Sequence, residues 1–568
     1  MKKSKYFLIV AFVLTVAMVL SACGGGSDSS SSDKSGSNGD KKGSENSNSS
    51  GKQVFNMVET AEIPTGDPAQ ATDAASFIVF GQTMEGLYVL DKDDKPVPAI
   101  ADGEPEISED GTVYTFKLRE DAKWSNGDPV TAHDFVYSWQ RAVDPDTASQ
   151  YAYMFSGIIK NATEIMNGEK DPKELSAEAV DDHTLKVTLE QPVEYLSSLL
   201  AFGTYLPLNE KFVEEKGDKF GTNSDNMLAN GPFVLTEWDG SGLTWKYVKN
   251  DNYYDKDNVS LDEVNVQVSK KPSTAVNLFE TDKVDRTAAL SAEYARQYKN
   301  DENASTFEEG SSWYLKFNQE RNGKATPLAN KNIRKALAMA FDKKSFTETV
   351  LANGSIPSDG YVPRGLANNP ETDQDFREES GDLIGYDVEK AKEYWQKGLK
   401  ELGVDKLKLD YLSDDTENAK TTAEYFKNQL ETNLEGLTVE LTNVPFKVRL
   451  DTVTKQDYDI VMHGWGPDYL DPMTFLDLYV TDGGNNNTGY SSEKYDQLIN
   501  DAKVKYADDP VKRWEAMLEA EKLLVQEDTV VAPIYQRGRI TLIKPYVKGL
   551  EEHLFGPDYS LKNVTIEK

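Results

Sequence analysis

The most restrictive feature of this sequence is a strand–helix–strand alternation between residues 407 and 462. Residues 407–411 alternate as in a half-buried strand, residues 416–432 place apolar side chains on one helical face, and residues 439–441 alternate again. A short, fully apolar strand follows at Ile460–Met462. Strands separated by a covering helix build parallel or mixed sheets, so we predict an α/β fold.

The chain before residue 310 has a different pattern. Short alternating strands are predicted around residues 114 and 185, and a hairpin is predicted over residues 233–247. A helix is predicted to begin after Thr131, where an acidic residue three positions later resembles a capping box. The chain has 568 residues, which at about 100–200 residues per domain predicts two to four domains. Two lobes that meet near residue 310 are the simplest interpretation.

The N-terminus has the composition of a secretory signal. Lysines precede the 14-residue stretch Phe7–Leu20, in which one threonine is the only polar residue. This stretch is shorter than the about 20 residues that span a bilayer, but it suits a signal peptide. It leads through small residues to Cys23 and resembles a bacterial lipobox. We therefore predict a signal peptide over residues 1–22 and lipidation of Cys23. The alternative is an ordinary signal peptide followed by an incidental Cys.

The segment after Cys23 is entirely polar. Residues 24–52 contain 11 Ser, 7 Gly and no apolar side chain, so we predict that residues 23–53 comprise the lipidated Cys and a disordered linker. Acyl chains, palmitate among them, would hold the protein at the outer face of the cell membrane. The formal net charge is −34, which would repel a nucleic-acid backbone and anionic lipid. We expect no nucleic-acid partner, and membrane contact through the lipid anchor alone.

Common catalytic and metal-binding patterns are missing from the sequence. The four His residues are scattered singly, and the single Cys excludes an intrachain disulfide and a Cys-based zinc site. Neither a P-loop nor a GxSxG motif occurs. The sequence therefore predicts no catalytic residue, no metal and no cofactor.

The segment Gly464–Pro472 is the most suggestive of a ligand site. It follows an apolar strand, at the edge of an α/β sheet where ligands bind. Its glycines permit close approach of a backbone, Trp465 offers an apolar wall, and Asp468 offers a negative charge for a cation. A turn with a core Trp and a solvated Asp would explain the same residues.

A family resemblance extends this argument. Residues Ala122–Arg141, which read AKWSNGDPVTAHDFVYSWQR, are very similar to the signature of the bacterial oligopeptide-binding proteins. These are the family 5 extracytoplasmic solute-binding components of peptide ABC importers. Shorter matches occur in family order: Asp67-Pro68, Glu85-Gly86, Asp181–Thr184, Asn230–Phe233, Ile333–Leu337, and Gly464-Trp465 with Asp468-Tyr469. The chain therefore resembles that family from about residue 54 to the C-terminus.

The resemblance implies a two-lobed periplasmic-binding-protein-like fold of class II, with mixed sheets flanked by helices. Lobe I would comprise residues 54–95, 205–311 and 536–568. An extra subdomain would comprise residues 96–204, and lobe II residues 312–535. The change of pattern near residue 310 agrees with this division.

The resemblance also implies the binding residues. Asp468 matches the carboxylate that binds the free α-amino group of a peptide. Further peptide contacts are implied on both walls of the site: the strand residues Gly464, Trp465 and Gly466, the opposite residues Thr72 and Ala74, and also Tyr151 and Tyr535.

Three residues qualify this picture. Met462 stands where some family members place a basic residue near the C-terminal end of the peptide, and Thr72 stands where an acidic residue is expected. Met462 therefore favours a different peptide length or C-terminal anchor, and Thr72 argues against a conventional opposite strand. Lys316 could supply a positive charge, although a strand lysine that snorkels to solvent is the more usual interpretation.

The predicted function is capture of oligopeptides by a monomeric, extracytoplasmic lipoprotein that performs no covalent chemistry. Its lobes would close around an extended peptide, and it would deliver that peptide to a membrane ABC permease for import. One alternative is a dedicated receptor for a single signalling peptide or for a glutathione-like peptide. A secreted hydrolase is the alternative from a different class.

Overall fold

The computed structural model describes residues 51–193 and 195–568. The predicted signal peptide, Cys23 and the linker up to residue 50 lie outside this part of the chain. Gln53, which the predicted linker includes, donates its backbone N–H to the Asp262 carboxylate at 2.7 Å. Gln53 therefore belongs to the folded body and not to the linker.

The strands of the described chain vary from two to 14 residues in length. In chain order they are β1 (Val54–Glu59), β2 (Tyr88–Leu90), β3 (Pro96–Pro98), β4 (Glu106–Ile107), β5 (Val113–Lys117), β6 (Ala177–Asp181), β7 (Thr184–Thr188), β8 (Phe233–Thr236), β9 (Thr244–Lys249), β10 (Glu263–Val268), β11 (Ala304–Phe317), β12 (Glu320–Arg321), β13 (Lys324–Ala325), β14 (Ile356–Pro357), β15 (Leu407–Asp414), β16 (Leu437–Val444), β17 (Ile460–Trp465), β18 (Val531–Leu542), β19 (Val547–Lys548), β20 (Glu551–Glu552), β21 (Tyr559–Ser560) and β22 (Thr565–Ile566).

Most of the α-helices are short. In chain order they are α1 (Ala74–Thr83), α2 (Ala132–Val143), α3 (Ala162–Met166), α4 (Leu196–Leu200), α5 (Glu210–Lys216), α6 (Pro272–Glu280), α7 (Ala292–Tyr298), α8 (Lys331–Met339), α9 (Lys343–Ser345), α10 (Phe376–Ser380), α11 (Val388–Leu402), α12 (Glu417–Asn433), α13 (Phe446–Thr454), α14 (Met473–Leu476), α15 (Glu493–Asn500) and α16 (Pro510–Lys522). Single 3-10 turns connect several of these elements, and π-helical turns occur at Phe346–Leu351, Asp501–Lys505 and Leu523–Glu527. Within the described ranges, no helix combines the length and the apolar character needed to cross a bilayer.

The largest sheet is six-stranded and mixed, with the order β14-β18-β11-β17-β15-β16. β15 is parallel to β16 and to β17, whereas β11 is antiparallel to β17 and to β18. These pairings confirm the strand–helix–strand prediction for residues 407–462. β17 is longer than predicted, because Gly464 and Trp465 pair with Trp313 and Ser312 of β11. Gly464 and Trp465 therefore lie in the strand, not in a loop that follows it.

Two smaller sheets form from the chain before residue 310. One has the order β1-β10-β9-β8 and contains the predicted hairpin, in which β8 and β9 are antiparallel. The other has the order β4-β5-β7-β6 and contains the alternating strands predicted around residues 114 and 185. The α/β class predicted from the sequence is thus confirmed.

Local sequence explains how two helices near the centre of the structure begin. Asp73 precedes α1, and its carboxylate accepts the backbone N–H of Ser76 at 2.8 Å. Thr131 and Asp134 form a capping box at the start of α2, in which the Thr131 N–H donates to Asp134 at 2.7 Å. Each carboxylate satisfies an N–H that the helix itself leaves without a partner. The predicted capping box is present.

Glu521 of α16 is a buried carboxylate that links three segments. It is 0% exposed and accepts the backbone N–H groups of Tyr361 at 2.7 Å and Val362 at 2.8 Å. It also pairs with Arg377 and with the Ser380 hydroxyl. A buried ion pair is favourable only when its remaining hydrogen-bonding groups are satisfied. The backbone donors do so here, and they fix α10 and the chain before it against α16.

Replacing Glu521 by Ala should lower the free energy of unfolding by about 3–5 kcal/mol, because Arg377 would remain as an uncompensated buried charge. Urea titration followed by circular dichroism measures this loss. Glu519→Ala is the control on the same helix, since the Glu519–Lys494 salt bridge has side chains that are 53% and 54% exposed. This control should lose less than about 1 kcal/mol. Equal losses in the two variants would contradict the assigned role of Glu521.

Candidate binding site

A groove of about 440 Å³ lies along the end of β17. The structure brings all the residues that were predicted as binding residues to this groove: Thr72, Ala74, Tyr151, Gly464, Trp465, Gly466, Asp468 and Tyr535. Thr72 is half-buried, and Ala74 is the exposed first residue of α1. Asp73 between them is buried, and burial raises the pKa of its carboxyl group to about 6.

Asp468 follows β17 and is almost completely buried, with 4% of its surface exposed. Its carboxylate accepts hydrogen bonds from the hydroxyls of Tyr153 at 3.2 Å and Tyr151 at 3.4 Å. Its backbone N–H donates to Thr474 Oγ1 at 2.9 Å, which holds the turn in place. All of these side-chain partners are neutral.

Within residues 51–193 and 195–568, no Lys, Arg or His forms a salt bridge with Asp468. Burial raises the pKa of the Asp468 carboxyl group well above its usual range, and the nearby charge of Asp477 raises that pKa further. A cationic group from a ligand would stabilise the carboxylate and complete its hydrogen bonds. The site is therefore suited chemically to an ammonium group.

Aromatic rings form the walls beside this carboxylate. Tyr151 stacks on Trp465 with ring centroids 5.9 Å apart and planes at 10°, and it also stacks on Phe202 at 5.4 Å. Tyr535 of β18 stacks on Trp313 of β11 at 6.0 Å, with planes at 3°. Such surfaces bury apolar parts of a ligand without requiring a particular side chain.

Gly464 of β17 and Gly466, the residue that follows the strand, serve different purposes. A Cβ atom on Gly464 would lie 2.5 Å from the ring of Trp313, so this glycine is required by internal packing. Gly464 also lines the groove, so its contact with a ligand backbone stays a prediction. A Cβ atom on Gly466 would meet only Ser311 at 4.0 Å, and this residue is exposed beside the groove. Gly466 leaves its backbone accessible to a ligand.

Several polar groups that line the groove find no hydrogen-bond partner within the described part of the protein. They include the indole N–H groups of Trp313 and Trp465 and the hydroxyl of Tyr411. Buried donors are normally satisfied. The walls of the groove therefore hold polar groups whose hydrogen-bonding capacity is unused.

Lys316 does not snorkel to solvent, contrary to the more usual interpretation of its sequence position. It is 3% exposed, and its Nζ donates to the backbone carbonyl of Asn485 at 3.0 Å. Lys316 alternates with Trp313 and Leu315 along β11 and projects from the opposite face of the sheet. On that face the Nζ of Lys316 lies 5.6 Å from the centroid of the Tyr479 ring.

Other residues of the site escaped sequence reasoning. Tyr153 and Thr474 contact Asp468, and Arg449 of α13 lines the groove beside His463. The sequence contains no spacing signal for these contacts, because Tyr153 lies 315 positions from Asp468. Among the described residues, no group of three or more His, Cys, Asp or Glu residues is placed to hold a metal ion.

Comparisons with known proteins identify the family. A family model described as bacterial extracellular solute-binding proteins, family 5 middle region, matches residues 95–487. The oligopeptide-binding protein OppA of Bacillus subtilis is 37% identical over 549 residues, which cover 94% of each chain.

Solved structures resemble the whole described body. Listeria monocytogenes OppA bound to peptide is 54% identical, with a TM-score of 0.88, and the match covers 91% of this chain and 100% of that one. The pheromone receptor PrgZ is 38% identical, with a TM-score of 0.86 and coverage of 91% and 100%. These matches confirm the two-lobed α/β class and the family resemblance that the motifs indicated. The chain belongs to the bacterial extracellular solute-binding proteins of family 5, which are binding proteins and not enzymes.

Proposed function

We propose that this protein captures short peptides outside the cell membrane and delivers them to the permease of an ABC importer. The observation that carries the proposal is Asp468, a buried carboxylate in the groove whose side-chain partners are neutral hydroxyls. The free α-amino group of a peptide is a cation of the right chemistry for it. Support comes from the relatives, whose names describe oligopeptide binding and a bound peptide.

The proposed binding mode is an extended peptide whose N-terminus lies at Asp468. The backbone of the peptide would pair with residues 464–466 on one side and with residues 72–74 on the other. Tyr151 and Tyr535 would contact the peptide from the aromatic walls. Recognition through main-chain hydrogen bonds tolerates varied side chains, and the exposed backbone at Gly466 suits such contacts.

We further propose that the two lobes and the extra subdomain have the boundaries implied by the family resemblance, and that the lobes close around the peptide. Contacts across the groove support closure. Lys270 pairs with Asp415 at 2.6 Å, and Lys447 Nζ donates to the Pro64 carbonyl at 2.6 Å. Each joins a segment assigned to lobe I with one assigned to lobe II. A peptide that touches both lobes would favour the closed state by its differential affinity.

The protein would act as a monomer at the outer face of the cell membrane, held there by acyl chains on Cys23. Its polar linker would let the folded body meet the permease while the lipid stays in the bilayer. Closure would allow the permease to distinguish a loaded protein from an empty one.

Asp468→Asn should weaken the binding of a peptide with a free N-terminus by about 2–5 kcal/mol, because the ligand ammonium would lose its charged partner. Isothermal titration calorimetry with a free peptide and its N-acetyl form measures the effect. The wild-type protein should already bind the acetylated peptide poorly. The affinity lost through Asp468→Asn and the affinity lost through acetylation should therefore not add. Asp482→Asn is the control, since Asp482 is exposed and has a φ of 58° that Asn tolerates. Unchanged affinity in Asp468→Asn would contradict the assignment.

The same contact predicts a pH dependence. Burial holds the pKa of Asp468 above its usual range in the free protein, and a bound ammonium group would lower that pKa. Peptide binding would then release a proton, so affinity should fall as the pH falls. The amino group of the peptide stays protonated below about pH 7, so it does not contribute to this trend. Calorimetry at several pH values should show the slope in the wild-type protein and lose it in Asp468→Asn.

Cys23→Ala should remove the lipid anchor. We expect the variant to leave the membrane fraction and appear in the medium or the soluble envelope fraction, whereas the wild-type protein sediments with membranes. Immunoblotting of the fractions and the mass of the mature N-terminal peptide provide the measurement. Ser27→Ala in the linker is the control. Membrane association of Cys23→Ala equal to that of the wild-type protein would exclude lipidation as the anchor.

The alternative is a dedicated receptor for one signalling peptide or for a glutathione-like peptide, and the similarity to the pheromone receptor PrgZ favours examining it. Mass spectrometry of the small molecules released by denaturing the purified protein separates the two functions. A general importer should release a mixture of short peptides. A single dominant peptide or thiol would establish the dedicated receptor instead.

A further inference from the structure

A second, smaller cavity adjoins the groove and is bordered by basic side chains. It has a volume of about 20 Å³ and is lined by Lys316 of β11, His463 of β17, Tyr479 and other residues. It shares Thr72 and Trp465, as well as His463, with the groove. A water molecule occupies about 10–15 Å³ on the same scale, so the cavity suits a small polar end group and not a ring.

Strand register explains why these groups meet. In the antiparallel pair of β11 and β17, Tyr314 lies opposite His463, and Lys316 lies opposite Val461. Residues opposite each other, and alternate residues along a strand, project from the same face. Lys316 and His463 therefore project from one face of the six-stranded sheet, and Trp465 projects from that same face where the groove begins.

Lys316 is a buried cation with little compensation. Its Nζ bonds to the Asn485 carbonyl and lies 5.6 Å from the centroid of the Tyr479 ring. An ammonium group has three donors, and the Asn485 carbonyl is the only acceptor that the described residues offer it. They also provide no salt bridge to it. Burial, together with the charge of Arg449, lowers the pKa of Lys316 to about 7.

Arg449 extends the positive region and lies beside His463. Arg449 Nε donates to Asp414 at 2.7 Å, and Arg449 Nη1 lies 3.3 Å from His463 Nδ1. Because the guanidinium group is always charged, Nδ1 accepts, and the neutral imidazole carries its proton on Nε2. Burial and the charges of Lys316 and Arg449 hold the pKa of His463 well below its usual range. Of the two cations, Arg449 is therefore paired with the carboxylate of Asp414, and Lys316 is not.

The residues that line the smaller cavity include no Asp or Glu within the described part of the chain. A desolvated site with an excess of positive charge is stabilised when an anion enters it, and the anion in turn keeps the lysine protonated. A carboxylate meets the need, since its two oxygens accept charge-assisted hydrogen bonds from such donors.

We propose that this cavity is a subsite for the carboxylate of an Asp or Glu side chain of the bound peptide. The proposal rests on the proposed peptide-binding function. The cavity meets the groove at Thr72 and Trp465, the residues expected to flank the peptide backbone. An extended peptide directs its side chains outward at such a position, whereas its chain end continues along the groove. The group that enters the cavity is therefore a side chain.

The test uses the purified protein and penta-alanine peptides that carry Glu or Gln at position 2, 3 or 4. At one of these positions, the Glu peptide should bind at least tenfold more tightly than the Gln peptide in isothermal titration calorimetry. Each Glu/Gln pair is also measured with an amidated C-terminus. The difference between Glu and Gln should persist in the amidated series.

Two variants test whether the preference for Glu over Gln depends on Lys316. Lys316→Met keeps a long apolar stem without the charge, and it should reduce the ratio of Glu to Gln affinities to within about twofold. Lys335→Met is the control, because Lys335 of α8 lies over the Tyr394 ring and lines neither the cavity nor the groove. This control should keep the ratio. Circular dichroism checks that each variant is folded, and the wild-type peptide series decides the question if Lys316→Met is not.

Each other outcome has a distinct meaning. Tight and equal binding of Glu and Gln peptides at all three positions would overturn the acidic subsite and leave the peptide-binding function intact. A tenfold loss on amidation, with no Glu preference, would show that the chain end occupies the cavity and would overturn the side-chain assignment. Failure of the folded wild-type protein to bind any of the peptides would overturn both proposals.

Discussion

The antiparallel pairing of β11 with β18 is the constraint on which the binding groove depends. The first part of β11, residues 304–308, pairs with the end of β18, and the second part, residues 312–316, pairs with its beginning. The register shifts between these two parts, and irregularities of this kind bend and twist paired strands. The same two strands carry Trp313 and Tyr535 into the groove. They also form the connection between the proposed lobes, so any closure would have to be accommodated there.

An ionic cluster stabilises this irregular region. Arg539 of β18 pairs with Glu309 at 3.0 Å, with Glu552 at 2.9 Å and with Asp558 at 3.2 Å. Glu309 lies within the part of β11 where the ladder with β18 is interrupted. Strand pairing is incomplete at that point, so the charged side chains and the Gln536 bond to the Glu309 carbonyl at 3.0 Å supply contacts that the ladder lacks. The irregular part of β11 beside the groove is thus held by side-chain ion pairs and a hydrogen bond where strand pairing is interrupted.

Sequence patterns revealed what is local and missed what is assembled from distant segments. The capping box of α2 needs residues only three positions apart, and the strand–helix–strand order of residues 407–462 needs only periodicity. The local pattern identified the segment around Trp465 and Asp468, but the binding roles and the distant partners came from family resemblance, since no spacing connects Tyr151 with Asp468. Lys316 shows the limit most clearly. In the sequence it is a polar residue in an alternating strand, and only the fold reveals that Asn485, 169 positions away, covers its side chain.

The acidic subsite must be reconciled with a body of strongly negative net charge. The chain carries 96 acidic and 62 basic residues, and at long range this charge disfavours an acidic ligand. Exposed charges are screened over a Debye length of about 8 Å at physiological ionic strength, however, so they act mainly on the rate of encounter. Lys316 and Arg449 are buried, at 3% and 7% exposure, where screening is weak and each hydrogen bond to an anion is strong. The buried cations therefore determine which side chain is retained once a peptide has entered, whereas the acidic surface affects how often one arrives.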